Sequence, residues 1–316
     1  MEHSQLNFVL QTLEGPRRLF YYAPDEYARY LAARQVQNGA VSLADFKRSP
    51  YGKLLERPNL KAAQANWGDG QLDHNRLQML RAAEPLNFRI TLSRWGAAER
   101  CRYNFNQTSR PGFNLVVQLN FGGDHNAEYR QLVRERTSGY HPFFYCDHPA
   151  KAEQDFTIAW ARIDLSDDLE TALIEEVQSD WWKLASTDIE VKKHRQRDAS
   201  GNWREWTDKR SANNLNIAAM ERYLEQTLRP YGKVWEEAML TATLQVLWEE
   251  IGVQRIFYHT YATGCALKNC HPPRSLYTKL PKKFCFTPTR EVPHFLQPQV
   301  RRLPRKEQER VGFWVI

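Results

Sequence analysis

Between about residues 86 and 165 the apolar positions recur with a period near two. "LNFRITLSRW" (86–95) alternates Phe88, Ile90 and Leu92 with Arg89 and Thr91, which predicts a half-buried strand. "FNLVVQLNF" (113–121) is a nearly continuous apolar strand, and the "GGDHN" that follows it reads as a turn or loop. "FTIAWARIDL" (156–165) and "ALIEEVQSD" (172–180) flank a short polar connection, "SDDLET", and so predict a hairpin. The period then lengthens. Over 236–252, Leu240, Leu244, Leu247, Trp248 and Ile251 form one helical stripe, with Gly252 placed to end it. A further strand follows in "VQRIFYHTY" (253–261), and then a short helix in "RSLYTKLPKKFCF" (274–286), interrupted at Pro281.

The first hundred residues read as mostly helical. "PDEYARYLAARQV" (24–36) opens with Pro24 and Asp25, good helix-start residues, and sets Tyr27, Tyr30, Leu31 and Arg34 on one face. Strands, a helix and a returning strand predict a mixed α/β (α+β) fold around a central mixed sheet. The expected organisation is a mostly helical N-terminal subdomain over 1–85 and an α/β domain over 86–290. That domain carries a basic insertion at 183–235, and a Pro- and Arg-rich tail, extended or wrapping as a strand, follows at 291–316.

Length changes this picture little: 316 residues with 42% hydrophobic content suit one large domain or two modest ones. Charge adds more. A formal +7 favours a polyanionic partner, nucleic acid or an acidic protein, or serves solubility alone. Five scattered Cys and no secretory pattern at the N-terminus give the expectation of a cytoplasmic chain with reduced thiols. No apolar run approaches a membrane span.

The stretch with most chemistry in it is "ALIEEVQSDWW" (172–182). Plain alternation puts Glu175, Val177 and Ser179 on one face of the strand and Glu176, Gln178 and Asp180 on the other. Buried carboxylates are costly unless paired or used. They therefore mark a site, or a wet edge, or ion pairs with the many Arg residues. One site reading is a metal centre. Asp164 on the first hairpin strand with Glu176 and Gln178 on the second resembles the paired-carboxylate core of restriction-type nucleases, which implies Mg²⁺. Cys265, Cys270 and His271, with Cys285, offer a loosely spaced zinc set, or ordinary reduced thiols. Gly122, Asp124, His125 and Asn126 line a pocket or simply turn the chain. His259, on a strand, reads as a satisfied core histidine. The insertion interleaves Lys192, Lys193, Arg195, Arg204, Lys209 and Arg210 with Trp203 and Trp206. That pattern stacks bases and neutralises phosphates, or is a solvated charged loop.

Two resemblances bear on these residues. The order acidic strand, insertion, amphipathic helix, "RIFYHTY", loop and "LYTKLPKKFCF" resembles the C-terminal half of the GNAT-type N-acetyltransferase fold. That resemblance implies acyl-coenzyme A as cosubstrate and Tyr277 as the acid that protonates the departing thiolate. It also implies Glu175 or Glu176 as the base, with Gln178 and Asp180 orienting it. The nearest counterpart of the family's phosphate loop is "RPYGKVWEE", with Gly232. Separately, "LIEEVQSDW" and "SLYTKLPKKF" are similar to the "IEEIQSDW" and "LY…LPK…KF" segments of large polyvalent proteins of phages and conjugative elements. This second resemblance implies a setting in mobile elements or phage–host conflict, including antiviral defence.

Overall fold

A computed structural model of the chain describes residues 1–13, 18–37, 39–80, 84–96, 108–132, 148–150, 156–185, 221–268 and 271–316. The fold is mixed α/β, built on one eight-stranded sheet. Its strands are β1 (Arg18–Tyr22), β4 (Leu86–Trp95), β5 (Asn114–Phe121), β6 (Thr157–Leu165), β7 (Thr171–Gln178), β8 (Arg255–His259), β9 (Thr287–Thr289) and β10 (Phe313–Val315), in the spatial order β1-β4-β5-β6-β7-β8-β10-β9. All neighbours are antiparallel except β7 and β8, which run parallel. A parallel pair needs a long crossover, and here a helical run supplies it. This run is α7 (Arg229–Gln245), extended by π-helical turns at Tyr223–Leu228 and Val246–Ile251. Gly252 ends it in the left-handed conformation, at φ 84°.

The N-terminal residues are helical as expected, with α1 (His3–Thr12), α2 (Glu26–Gln35), α3 (Leu43–Arg48), α4 (Pro58–Gln64) and α5 (His74–Met79). They also contain β1, which pairs with β4 at the edge of the sheet, and a two-stranded ribbon of β2 (Val41–Ser42) and β3 (Gln71–Leu72). One main core joins Leu31, Ala32, Leu54 and Leu60 to sheet residues Leu119, Ile163, Ile174 and Val177 and to Leu240 and Leu244 of α7. The tail is also integral. After α10 (Gln297–Arg302) and α11 (Arg305–Gln308), β10 inserts between β8 and β9. "GGDHN" does not simply turn: Gly123 begins α6 (Gly123–Leu132).

Two short helices follow β8: α8 (Tyr261–Lys268) and α9 (Arg274–Lys283). Pro281 stands inside α9 without ending it. Its ring nitrogen has no hydrogen for the carbonyl four residues back. That carbonyl, of Tyr277, accepts instead from the Trp314 indole N–H at 2.9 Å. A tryptophan on β10 thus replaces the missing helical hydrogen bond.

Candidate functional site

The hairpin β6–β7 forms as expected, but its register shifts. Arg162 pairs with Glu176 while Ile163 pairs with Ile174, so Glu175 is an extra residue in β7. This is a β-bulge, which breaks the two-residue alternation. Ile174 and Val177, three positions apart, both enter the main core. Glu175 and Glu176 therefore both project from the other face of the sheet, rather than from opposite faces as alternation predicts. Polar groups meet them there from loops and from α8.

Glu176 is 5% exposed and lies between two cations. Arg162 donates to it from the neighbouring strand, and Lys268 Nζ lies 3.3 Å away. Burial pushes the Glu176 carboxyl up, but the Lys268 and Arg162 charges outweigh this and hold it below the ordinary carboxylate value. Lys268 places its other two N–H donors on the Glu175 carbonyl and the Tyr277 hydroxyl, each at 3.0 Å. Tyr277 in turn donates to the same carbonyl at 3.0 Å. All three ammonium hydrogens and both lone pairs of that carbonyl are engaged. Burial, reinforced by the Glu176 charge, raises the Tyr277 phenol well above its usual value, so it stays protonated.

Glu175 is fully buried and held from the loop before β5 and from β8. The Ser109 backbone N–H and hydroxyl donate to its two oxygens at 3.0 and 2.7 Å, and His259 Nε2 lies 3.1 Å away. Ser109, His259 and Glu175 have the composition of a hydrolytic triad but not its wiring. In a triad, one ring nitrogen serves the nucleophile and the other serves the acid. Here Nε2 faces both Ser109, at 2.8 Å, and Glu175, and Nδ1 has no hydrogen-bond partner among the described residues. Burial lowers the His259 pKa, so the ring is neutral at pH 7. The cluster is a latch that ties the 108–112 loop to the sheet, and His259 is a core strand histidine, as expected, but one bonded through Nε2 alone. Arg110 of the same loop makes two bonds to Asp164, at 2.6 and 2.9 Å, and the α-amino group of Met1 lies 2.7 Å from the same carboxylate.

Gln178 and Asp180 do not orient Glu176. Gln178 Nε2 donates to Asp180 at 2.6 Å, and both Asp180 oxygens lie 2.8 Å from His148 Nδ1. The imidazole packs edge-on against Trp160 at 5.3 Å. The sequence reads His148 as a histidine packed beside an aromatic patch, which it is; its bond to a carboxylate thirty-two positions away was missed, as was Lys268. The tryptophans that close the strand have separate tasks. Trp181 enters an aromatic cluster with Phe121, His125, Tyr129 and Phe156, and its indole donates to Tyr223 at 2.8 Å. Trp182 lies flat on Gly232, where a Cβ would sit 2.2 Å from its ring.

The metal readings find no support in this geometry. Asp164 faces two cations and so does Glu176, and Gln178 belongs to the His148 cluster. Among the described residues no group of three or more His, Cys, Asp or Glu is arranged to hold a metal ion. Cys265 and Cys285 are free thiols, the latter buried, while Cys270 lies outside the described residues. So do Lys192, Lys193, Arg195, Trp203, Arg204, Trp206, Lys209 and Arg210, and the side chain of Asp124. His125 and Asn126 are buried and bonded to each other, and His125 packs on Phe121 in the aromatic cluster.

The acyl-coenzyme A expectation bears on two places among the described residues. Ligands of open α/β sheets enter at the carboxyl ends of parallel strands. Here β7 and β8 pair only as far as Ile174 and Tyr258. The space beyond that point holds Lys268 Nζ and the Tyr277 hydroxyl. "RPYGKVWEE" is not a loop but the first half of α7. It continues helically from Tyr223–Leu228, so its N–H groups are not the free donors of a helix start. The space over Gly232 is filled by Trp182. No family model, no curated protein and no solved structure matches the chain. Among the described residues no helix is long and apolar enough to cross a membrane.

Proposed function

We propose that this chain is a nucleic-acid-binding module on a GNAT-like sheet whose acyl-transfer crevice is closed by its own side chains. The observation that carries the reading is the Lys268 ammonium bonded at once to Glu176, Tyr277 and the Glu175 carbonyl. A general base works best with a pKa near the operating pH, and the two cations hold Glu176 far below it. A general acid needs a proton it can release, and the Tyr277 proton is bound to a buried carbonyl. The acidic strand then acts as an internal brace.

The binding surface is supported by charge. The insertion carries seven Lys/Arg over 192–210, with Trp203 and Trp206 among them. On the C-terminal arm Arg301, Arg302, Arg305, Lys306 and Arg310 are all exposed, with Glu307 and Glu309 the only carboxylates among residues 301–310. Cations along a surface bind phosphates, and interleaved aromatics stack bases. The similarity to polyvalent proteins supports a mobile-element setting.

Fluorescence anisotropy with a labelled single-stranded DNA tests this. Binding should weaken steeply with salt and should survive Glu176→Gln. Neutralising Arg204, Lys209 and Arg210 together should weaken it and reduce the salt slope. Binding that is absent at low salt, or unchanged by those neutralisations, would contradict the proposal.

A further inference from the structure

A cavity of about 380 Å³ lies far in sequence from the acidic strand, between α2, α5 and the last turns of the long crossover helix. Its volume falls in the usual range for small-molecule pockets. Several of its polar groups are already used. Arg29 pairs with Glu26 and donates to the Leu77 carbonyl. Gln78 Nε2 donates to His74 Nε2 at 2.8 Å, so the His74 hydrogen is on Nδ1, facing the Ala33 carbonyl at 3.3 Å. Both ring nitrogens of His74 are thereby occupied.

Two charges remain. The Arg34 guanidinium stacks 4.2 Å above the Trp248 ring and makes no hydrogen bond or ion pair among the described residues. Stacking leaves its planar edge open, the edge that grips a carboxylate with two parallel bonds. Glu249 is exposed and makes no ion pair among the described residues. Both charges act on the buried Tyr30 hydroxyl, and the Glu249 carboxylate stands within reach of it as an acceptor. Trp248 and Glu249 sit on the π-helical turn Val246–Ile251, a backbone feature that recurs at functional sites. Gln37 and Gln245 add carboxamides to the wall.

We propose that this cavity binds a free α-amino acid, with its carboxylate on the Arg34 edge, its ammonium on Glu249 and the Tyr30 hydroxyl between them. One free cation and one free anion match a zwitterion. A phosphate or nucleotide, with two negative charges, would meet Glu249 as a repulsion.

The test is thermal melting of the full chain with each standard L-amino acid at millimolar concentration, followed by calorimetric titration of any that raise the midpoint. At least one should raise it, as a ligand of the folded state must. Its N-acetyl amide should not. Glu249→Gln, at an exposed position, should weaken binding about tenfold or more without changing the unliganded melt, and Arg34→Met should do the same to binding. No rise with any amino acid would overturn the proposal. So would an equal rise with the N-acetyl amide, or a rise with AMP or inorganic phosphate instead.

Discussion

Lys268 Nζ and the Tyr277 hydroxyl lie 3.0 Å apart, where β7 and β8 cease to pair. This contact turns the space at the carboxyl ends of two parallel strands from an entrance into part of the interior. Four partners close around it: two side chains from the helices after β8, the Glu176 carboxylate, and the carbonyl freed by the bulge at Glu175.

Replacing Lys268 by Met removes one of the two cations on Glu176 and leaves the Tyr277 hydroxyl without its donor. Removing one partner of a buried ion pair costs about 3 kcal/mol. Arg162 remains on Glu176, so the loss in urea unfolding should not much exceed that. Glu176→Gln in the Lys268→Met background should cost less than it does alone. Strict additivity would contradict the network.

Stability should fall on acidification in two windows. His125 is pushed down to about 4, chiefly by burial, from the ordinary histidine value of 6.5. The unfolded chain therefore binds the extra proton first. The stabilisation is complete above about pH 6.5 and is lost as pH falls toward 4, by an amount on the order of 3 kcal/mol. Glu176, whose pKa is depressed in the fold, loses its contribution only below about pH 4.5. His125→Gln should flatten the upper window of a melting-against-pH curve and leave the lower one.

Gly232→Ala should destabilise the chain by about 1–3 kcal/mol, the usual cost of overpacking, because its Cβ would enter the Trp182 ring. Trp182→Leu in the same chain should recover part of the loss. Were Gly232 a phosphate-binding glycine instead, Gly232→Ala would leave the melt unchanged and lower only ligand affinity.

Trp314→Phe removes the donor that serves the Tyr277 carbonyl. A buried acceptor left unpaired costs about 1–3 kcal/mol. Pro281→Ala supplies a backbone N–H at the position that faces the same carbonyl. It should therefore stabilise the Trp314→Phe chain more than it stabilises the wild type.

The strands were legible because their apolar residues alternate or run together. β4 and the hairpin lie where the pattern puts them, and Gly252 stops the crossover helix. The bulge was not legible, since two adjacent glutamates read the same with or without an extra residue, and it reverses the face on which Glu175 falls. Partners distant in sequence were likewise invisible: nothing local to Lys268 or His148 points to the carboxylates ninety-two and thirty-two positions away. Two elements left open by the pattern had usable signals. "FWVI" at 313–316 is an aromatic and β-branched run of strand type, and His125 and Tyr129 share a helical face four residues apart.

The central claim is that the crevice is closed and that the chain holds nucleic acid through its basic surface. It is tested most directly by parallel thermal melts of the full chain with acetyl-coenzyme A and with a short single-stranded DNA, at low salt. Acetyl-coenzyme A should give no shift, and DNA a rise that salt abolishes. A rise with acetyl-coenzyme A and none with DNA would contradict it.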